Sequence, residues 1–516
     1  MNKKYLLFAG LLISIAANAQ VPEDAVRYSF YPQNGTARNL AIGGANGSLG
    51  GDLNSIFVNP AGLGFYRTGE VVFTPGYLLN KTKINFRNTK TEEKYNLFNM
   101  GPIGFVVGGP TGGRNSKSSD AFSLAFTQTA NFNNRFHYSG LNNLSSFAEQ
   151  WAEEVAKSGL TIDQVLNNSQ YAFGSAPALY TYLVDTVRQP NGTLRVEAAP
   201  EFILDAGQAI RQEMYQQTKG GMYELALGFA HNEEEKWYFG GSLGIPIVSY
   251  KSNTQFKESD TSSSTTNHFK EFTYNDNFRT TGIGFNGKIG VIYRPKEYLR
   301  LGLAVQTPSY MILNDRRSSS LSASLENPVY NASVNSGTFT NGTDGKAKYT
   351  QMSPWRAMLS ASYVFREVAN VKKQRAFITA DVEYVNHRGS RFGSNNEDPT
   401  PEEKKYYKEL NNVVRDIYKG NFNFRVGGEL KFNIIMARLG FGYYSNPYKD
   451  KELKANKMLL SGGLGYRNKG MFLDLTYVYN ISKDVHFPYR LQDQANTFAS
   501  VKNTRGNVVA TLGFKF

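Results

Sequence analysis

The chain has 516 residues, with 57 Lys and Arg against 43 Asp and Glu, a formal net charge of +14, and no cysteine. The lack of cysteine excludes disulfide bonds and thiolate chemistry. The positive charge is scattered along the sequence rather than gathered in a basic helix or an aromatic–basic RNA motif, so it does not favour nucleic-acid binding.

Residues 1–19 have the three parts of a secretion signal. A short positive region at 2–4 precedes an apolar run at 5–16, and the small residues at 17–19 form a cleavage site before Gln20. About a dozen apolar residues are too few to cross a bilayer. The pattern therefore predicts a cleaved signal peptide, and not a membrane anchor.

Residues 20–69 do not alternate like a sheet. Glycine and other small residues crowd 37–51, and residues 52–64 follow as a second turn-rich stretch. Glycines allow close backbone packing and positive φ. No nucleotide-binding pattern of glycines occurs here. We expect this segment to form a compact plug, or hatch, inside the lumen of the domain that follows it.

Residues 70–516 contain about fourteen segments in which apolar and polar side chains alternate, the signature of half-buried strands. Several have roughly the 9–11 residues that a tilted strand needs to cross a bilayer. The last segment ends on a terminal aromatic, Phe516. The predicted strands are 70–84, 97–108, 120–131, 221–231, 236–252, 272–294, 298–307, 350–366, 375–386, 420–432, 434–445, 457–467, 470–480 and 505–516.

The connections between these strands alternate between short and long, as a bacterial outer-membrane barrel requires. A soluble sandwich has no reason to sort its loops in this way, and no propeller blade motif repeats. Aromatic residues are 14% of the chain, yet the mean hydropathy is −0.43, because alternation hides the apolar face of a barrel. We therefore predict an all-β transmembrane antiparallel β-barrel of about fourteen strands over residues 70–516.

The longest connection, residues 132–220, is predicted to be an extracellular helical insert. Leu144, Phe147 and Trp151 follow helical spacing, and Ile203, Ala206, Ile210 and Met214 form a second stripe. Such stripes serve either to pack helix on helix or to offer apolar surface to a ligand. Leu144, Phe147 and Trp151 are our candidates for extracellular ligand capture.

Charged residues on inward strand positions have two interpretations. Most fit an ion-paired, hydrated lumen wall. Arg356 and Arg425 are also candidates to hold an anionic ligand headgroup, because a guanidinium forks onto a carboxylate. The five histidines show no metal-ligand spacing, and no Ser/His/Asp set is legible, so we predict no catalytic site, metal or cofactor.

A resemblance to a known family rests on the first segment. Gly43-Gly44-Ala45, Asp52, Phe57 and Asn59-Pro60-Ala61-Gly62-Leu63 resemble the N-terminal hatch of the FadL/TodX outer-membrane transporters of long-chain fatty acids and aromatic hydrocarbons. The resemblance makes Asn59, Pro60, Ala61 and Gly62 the hatch motif. It implies fourteen strands, a helical insert after the third strand, and passive uptake across a Gram-negative outer membrane.

The family's ligands leave sideways at a kink in the third strand. Residues 127–134 match that strand, but they lack the glycine that would ease a kink. The resemblance implies a hydrophobic or amphipathic small-molecule ligand, with outer-membrane lipid and lipopolysaccharide around a monomeric barrel. A second hypothesis is a protein-interaction or secretion-shuttle role at the cell surface. A haem receptor or a rim enzyme comes third.

Overall fold

The computed structural model describes residues 24–516 except 114–115, 190, 327–328, 366–374 and 452. The predicted signal peptide, residues 1–19, lies outside the described residues. The helices are α1 (Asp24–Arg27), α2 (Ala37–Ala41), α3 (Ser55–Val58), α4 (Glu149–Ser158), α5 (Ile162–Leu166), α6 (Ser175–Tyr180), α7 (Glu201–Asp205) and α8 (Pro401–Ile417), and short 3-10 turns lie at Pro60–Phe65, Ser169–Tyr171, Ser336–Phe339 and His387–Gly389. Within the described residues, no helix combines the length and the apolar character needed to cross a membrane.

Twenty-one strand segments form one antiparallel sheet, and β7 and β8 form a separate hairpin. The segments are β1 (Glu70–Phe73), β2 (Pro75–Phe86), β3 (Thr89–Met100), β4 (Ile103–Pro110), β5 (Ser119–Asn131), β6 (Asn134–Asn142), β7 (Val184–Arg188), β8 (Leu194–Ala198), β9 (Ile210–Glu233), β10 (Trp237–Asp260), β11 (Glu271–Lys296), β12 (Leu299–Gln306), β13 (Tyr310–Glu326), β14 (Val329–Asn335), β15 (Gly345–Met352), β16 (Arg356–Phe365), β17 (Ala376–Asn386), β18 (Arg391–Ser394), β19 (Gly420–Phe432), β20 (Ile435–Tyr444), β21 (Lys457–Asn468), β22 (Met471–His486) and β23 (Ala499–Lys515).

The sheet closes on itself to make a barrel of fourteen passes. The last strand, β23, pairs with both segments of the first pass, so that Lys515 lies opposite Glu70 and Val509 opposite Gly76. Closure leaves no exposed sheet edge where the last pass meets the first. The predicted fold class, an antiparallel barrel of about fourteen strands, is confirmed.

The wall has the predicted apolar outside and polar inside. On β22, Leu475 is 52% exposed whereas its neighbour Asp474 is fully buried. On β19, Phe424 is 47% exposed and Arg425 only 3%. Because successive side chains of a strand point to opposite faces, an apolar belt surrounds a polar bore. The terminal Phe516 lies on the outer face, 72% exposed.

The first outer connection differs from its prediction. Residues 85–96 were expected to be a long polar link, but β2 and β3 run on into a two-residue hairpin at Arg87 and Asn88, both with positive φ. Lys90, Glu92 and Lys94 made this stretch look like a loop. A strand that continues above the membrane is surrounded by water, so it can carry charged side chains. The alternation of apolar and polar residues therefore does not identify such a strand.

The helical insert is shorter than predicted. Residues 134–142 and 210–220 belong to β6 and β9, so that the insert proper spans 143–209. The second predicted stripe is wrong as a helix, because α7 ends at Asp205 and Ile210 and Met214 lie on β9. Both side chains are buried on the inner face of that strand, where a period of two also places them on one side.

Candidate functional site

The N-terminal segment, residues 24–66, hydrogen-bonds to inward side chains of strands on opposite sides of the ring. The Ala37 amide donates to Thr511 Oγ1 on β23 at 2.7 Å, and Arg300 on β12 donates to the Leu49 carbonyl at 2.7 Å. The Gly47 amide donates to the Asp381 carboxylate on β17 at 3.2 Å. Contacts to such distant strands place residues 24–66 between the walls of the bore.

The motif Asn59-Pro60-Ala61-Gly62 lies against β10 and β11. Asn59 begins a 3-10 turn by accepting the Ala61 amide at 3.1 Å, and its own amide group donates to the Gly47 carbonyl at 2.6 Å. Two wall glycines make room for it. A Cβ atom on Gly240 would lie 2.3 Å from the Pro60 carbonyl carbon, and one on Gly290 would lie 1.8 Å from Asn59 Oδ1. The motif's contacts therefore dock the segment onto the wall.

A cavity of about 70 Å³ separates the N-terminal segment from the wall. Its lining combines charged side chains with apolar ones, and it includes both predicted headgroup residues, Arg356 and Arg425, with Lys288, Glu224, Glu383, Tyr31, Phe57 and Met358. Ligand pockets usually measure about 300–1,000 Å³. The observed cavity is far smaller, and a drug-sized ligand fits only if the N-terminal segment moves.

The two arginines bind the N-terminal segment as well as the wall. Arg356 donates to the Ser29 carbonyl, and Arg425 donates to the Gln33 side chain at 2.8 Å. Both lie near the Glu383 carboxylate, at 3.9 and 3.8 Å, so neither charge is uncompensated. This arrangement matches the predicted ion-paired lumen wall, and it also makes both arginines part of what holds residues 24–66.

The outer mouth is covered by α8, which the sequence reading missed. Leu410 and Val414 of α8 are buried in one apolar cluster with Met311 and Leu313 of β13 and with Tyr28 of the N-terminal segment. The signal was present in the sequence. Thr400 caps the helix by accepting the Glu403 amide, Pro401 begins it, and apolar residues recur with helical spacing. The predicted strands at 375–386 and 420–432 left this stretch as a connection without a helix.

The wall is interrupted between the second and third passes. No ladder of paired residues joins β3 to β6, both of which are fully described. The Thr91 hydroxyl donates to the His137 carbonyl at 2.7 Å, as one side-chain bridge across this seam. Inside it, the Asn34 amide group donates to the Met100 and Gln128 carbonyls at 3.0 and 2.7 Å. One side chain of the N-terminal segment thus spans both sides of the seam.

The third pass is kinked even though its residues 127–134 contain no glycine. Its pairing with β9 shifts register between Gln128 and Ala130, and the strand breaks at Phe132 and Asn133. A β-bulge bends a strand without a glycine in that strand. Beyond this break, β6 still pairs with β9 but contacts β3 without forming a ladder.

The predicted capture residues divide into two groups. Phe147 and Trp151 are each 6% exposed and pack in the core that joins the insert to the extended strands. Their surroundings match the helix-packing interpretation. Leu144 is 54% exposed, so a role in capture stays a prediction for this residue.

A buried acidic pair anchors the insert above the membrane. Glu258, on the outer end of β10, accepts hydrogen bonds from the Phe147 amide and the Gln212 amide group, both at 2.7 Å. Glu149 of α4 accepts the Ser146 amide at 2.6 Å. Burial raises the pKa of Glu258 to about 7 and that of Glu149 to about 8, from a usual value of 4.5.

These raised pKa values predict that the insert is held more tightly in acid. Between pH 4.5 and about 7 the folded insert keeps a proton on Glu258 that the unfolded chain releases, so stability falls as pH rises through this window. We expect hydrogen-exchange protection of residues 143–209 to be greater at pH 5 than at pH 8. Glu258→Gln should reduce this difference by somewhat less than half, since Glu149, whose pKa is raised further, still titrates. A pH response identical to that of the wild type would contradict the assignment.

A ring of paired strands with an apolar belt, a filled bore and a local seam defines a transmembrane-type β-barrel with an internal N-terminal segment. No family model and no curated protein matches the chain. Solved structures do. The chain is similar to a FadL homologue of Pseudomonas aeruginosa, with 12% identity over 94% of this chain and 99% of that one and a TM-score of 0.52. It is equally similar to the toluene transporter TodX of P. putida, with 12% identity, the same coverage and a TM-score of 0.50. The predicted resemblance is confirmed at the level of the fold.

Proposed function

We propose that the protein is an outer-membrane channel for passive uptake of hydrophobic or amphipathic small molecules, and that residues 24–66 are its hatch. The observation that carries this proposal is the combination of a filled bore with an unpaired seam in the wall, bridged by Asn34. A bore intended for water-soluble solutes needs neither a plug nor an opening towards lipid. A barrel fold of FadL and TodX type supports the same reading.

The pathway runs from the outer mouth to the seam. A ligand first meets the apolar cluster beneath α8, then the cavity at Arg356 and Arg425, and then the seam between β3 and β6. Each step keeps the apolar part of the ligand out of water, and burial of a CH₂ group contributes about 0.8 kcal/mol. A concentration gradient is therefore enough, with no energy-coupling partner.

Uptake assays on whole cells test the proposal. Cells that express the protein should accumulate a labelled aromatic hydrocarbon and labelled laurate faster than cells with an empty vector, and a hydrophilic β-lactam should enter both at the same rate. Equal, size-limited entry of hydrophilic solutes would instead identify an open porin.

The predicted headgroup role of Arg356 and Arg425 has its own test. We propose that a ligand carboxylate takes over contacts that these arginines make with Ser29 and Gln33, which loosens the hatch. Replacement of both by glutamine should weaken laurate binding by about tenfold, because a charge-assisted fork is lost. Dodecanol, which has a similar tail and no charge, is the control ligand. Unchanged laurate binding would refute this role.

A protein-docking role is the second candidate. The insert exposes Tyr180, Tyr182 and Leu194, which are 47%, 53% and 64% exposed. Three large apolar side chains on one outer insert offer a surface to a secreted protein. Co-purification of a secreted protein with the barrel, without uptake of either hydrophobic probe, would favour a secretion-shuttle role over transport.

A further inference from the structure

A row of cations crosses the lipid-facing side of the barrel. Its members lie directly opposite one another on the neighbouring strands β9, β10, β11, β13 and β15, and all of them are exposed. In the order in which the sheet pairs them, the members of this cation row are Lys219, Lys251, Arg279, Arg316 and Lys346.

The cation row belongs to the outer face of the wall. On β10, Lys251 continues the outward series of the exposed Ile247, whereas the adjacent Tyr250 is buried. On β11, Arg279 is exposed and the adjacent Thr280 is fully buried. Because successive side chains of a strand alternate between the two faces, these cations point away from the bore.

The charges of the row are not compensated within the chain. Among the described residues, none of its members makes an ion pair with a carboxylate. On the same strands, Glu271 pairs instead with Lys257 at 2.7 Å, and Asp344, two residues before Lys346, does not come within ion-pair distance of it. Like charges directly opposite each other destabilise a sheet. A row of them therefore favours binding of an anion from outside the chain.

The row lies at the outer level of the membrane. From Trp237 to Ile247, every second residue of β10 is apolar or glycine, over about the 9–11 residues that a tilted strand needs to cross a bilayer. Trp237 stacks on Tyr293 at the end of the tight turns, with ring centres 4.2 Å apart, as in an aromatic girdle. Lys251 lies beyond the other end of this span, roughly 13 Å past Ile247 at about 3.3 Å per residue.

The chemistry of the wall changes in a fixed order around the row. On the membrane side of it, Ile247, Ile283 and Phe285 are exposed. On the outer side, the next cross-strand partners carry amides and a hydroxyl, at Gln217, Asn253, Asn277 and Ser318. Apolar surface, cations and then amides match the order of acyl chains, phosphates and sugars in a phosphorylated glycolipid. An anionic phospholipid would leave the amides without sugars to bind.

We propose that the cation row is a binding site for lipopolysaccharide, the phosphorylated glycolipid of the outer leaflet. Its phosphates lie against Lys251, Arg279 and Arg316, and its sugars against Asn253 and Asn277. A guanidinium forks onto phosphate oxygens, and a lysine adds a compact positive charge. The inference goes beyond the proposed transport function and does not depend on it, because it assigns a lipid partner to one outer face of the barrel.

Titration of lipopolysaccharide into the delipidated protein in detergent tests the proposal. Lys251→Gln/Arg279→Gln/Arg316→Gln should raise the Kd for lipopolysaccharide by about tenfold or more, because three charge-assisted contacts are lost. Native mass spectrometry measures the bound fraction. Phosphatidylglycerol, which has a phosphate and no sugars, and dephosphorylated lipopolysaccharide should each bind the wild type more weakly than lipopolysaccharide does.

Thermal unfolding of the same two proteins gives a second readout. Without glycolipid, the triple variant should unfold at the wild-type temperature or above it, since repulsion across the strands is relieved. With lipopolysaccharide, the wild type should gain more stability than the variant, because a ligand stabilises the state that binds it. A variant that is less stable than the wild type without glycolipid would show that the row stabilises the sheet by itself, and would contradict the proposal.

The matched control is Lys404→Gln/Lys405→Gln/Lys408→Gln. It removes as many exposed lysines from α8, over the outer mouth and away from the lipid-facing wall, and should bind lipopolysaccharide like the wild type. The compact mobility of each unheated variant in SDS gels establishes folding. Equal affinity of the row variant and the wild type, an equal loss in the α8 variant, or equally tight binding of phosphatidylglycerol would overturn the site. These measurements do not involve uptake, so failure of the transport proposal leaves them intact.

Discussion

Deletion of residues 24–64 turns the protein into an open aqueous pore. The removed segment makes the contacts from Ala37 to Thr511 and from Gly47 to Asp381, and it also supplies Tyr28 of the cluster under α8. Without it, charged and hydroxyl side chains line a fourteen-stranded bore, and barrels slightly larger than this hold a water channel. We expect single-channel conductance in planar bilayers, and β-lactam entry into cells, to rise by about tenfold or more.

A loop deletion controls for damage to the barrel. Residues 262–267 lie in the connection between β10 and β11, away from the bore, and their removal should leave conductance at the wild-type level. If the variant without the hatch folds to the compact form and stays impermeable, residues 24–64 are not what closes the bore.

The wall could be predicted from the sequence because the direction of each side chain, towards lipid or towards the bore, depends only on its position along its own strand. Alternation assigns one face to lipid and one to the bore, and Leu475 with Asp474, or Phe424 with Arg425, follow it as expected. The terminal strand is equally plain, with Val508, Leu512 and Phe514 on the outer face. Because lipid surrounds every pass, apolar outward and polar inward side chains alternate in each of them. Few passes were therefore misplaced.

The prediction failed where strands leave the membrane. Above the lipid both faces of a strand meet water or another loop, so the residues 89–96 of β3 carry charge like a loop. Ile210 and Met214 illustrate the opposite error. Their spacing of four fits a helix and a strand equally well, and pairing with β10 decides between the two.

The site itself depends on contacts between distant parts of the chain. Arg356 and Arg425 could be placed on the inward face, but nothing in the sequence joins them to Ser29 or Gln33. The bulge at Thr129, in the strand beside the seam, has no sequence signature here.

A disulfide between hatch and wall should stop uptake. The hydroxyl oxygens of Ser48 in the hatch and Ser360 on β16 lie 2.8 Å apart, so cysteines at both positions can bond, and the chain contains no other cysteine. The cavity of about 70 Å³ is too small for a ligand unless the hatch moves. The oxidised Ser48→Cys/Ser360→Cys variant should therefore lose about tenfold or more of its laurate and hydrocarbon uptake, and a reductant should restore it.

The control for this uptake measurement is an engineered disulfide within the wall, which leaves the hatch free to move. The Thr82 hydroxyl and the Asn503 amide oxygen lie 2.8 Å apart, and both residues belong to the wall, where the first pass pairs with the last. Oxidised Thr82→Cys/Asn503→Cys should transport at the wild-type rate, since it reinforces closure of the ring and touches no residue of the hatch. Uptake that depends on the redox state of the Ser48–Ser360 pair alone is the result we expect. Equal uptake by its oxidised and reduced forms, with the disulfide verified by mass, would show that ligands pass without any movement of the hatch.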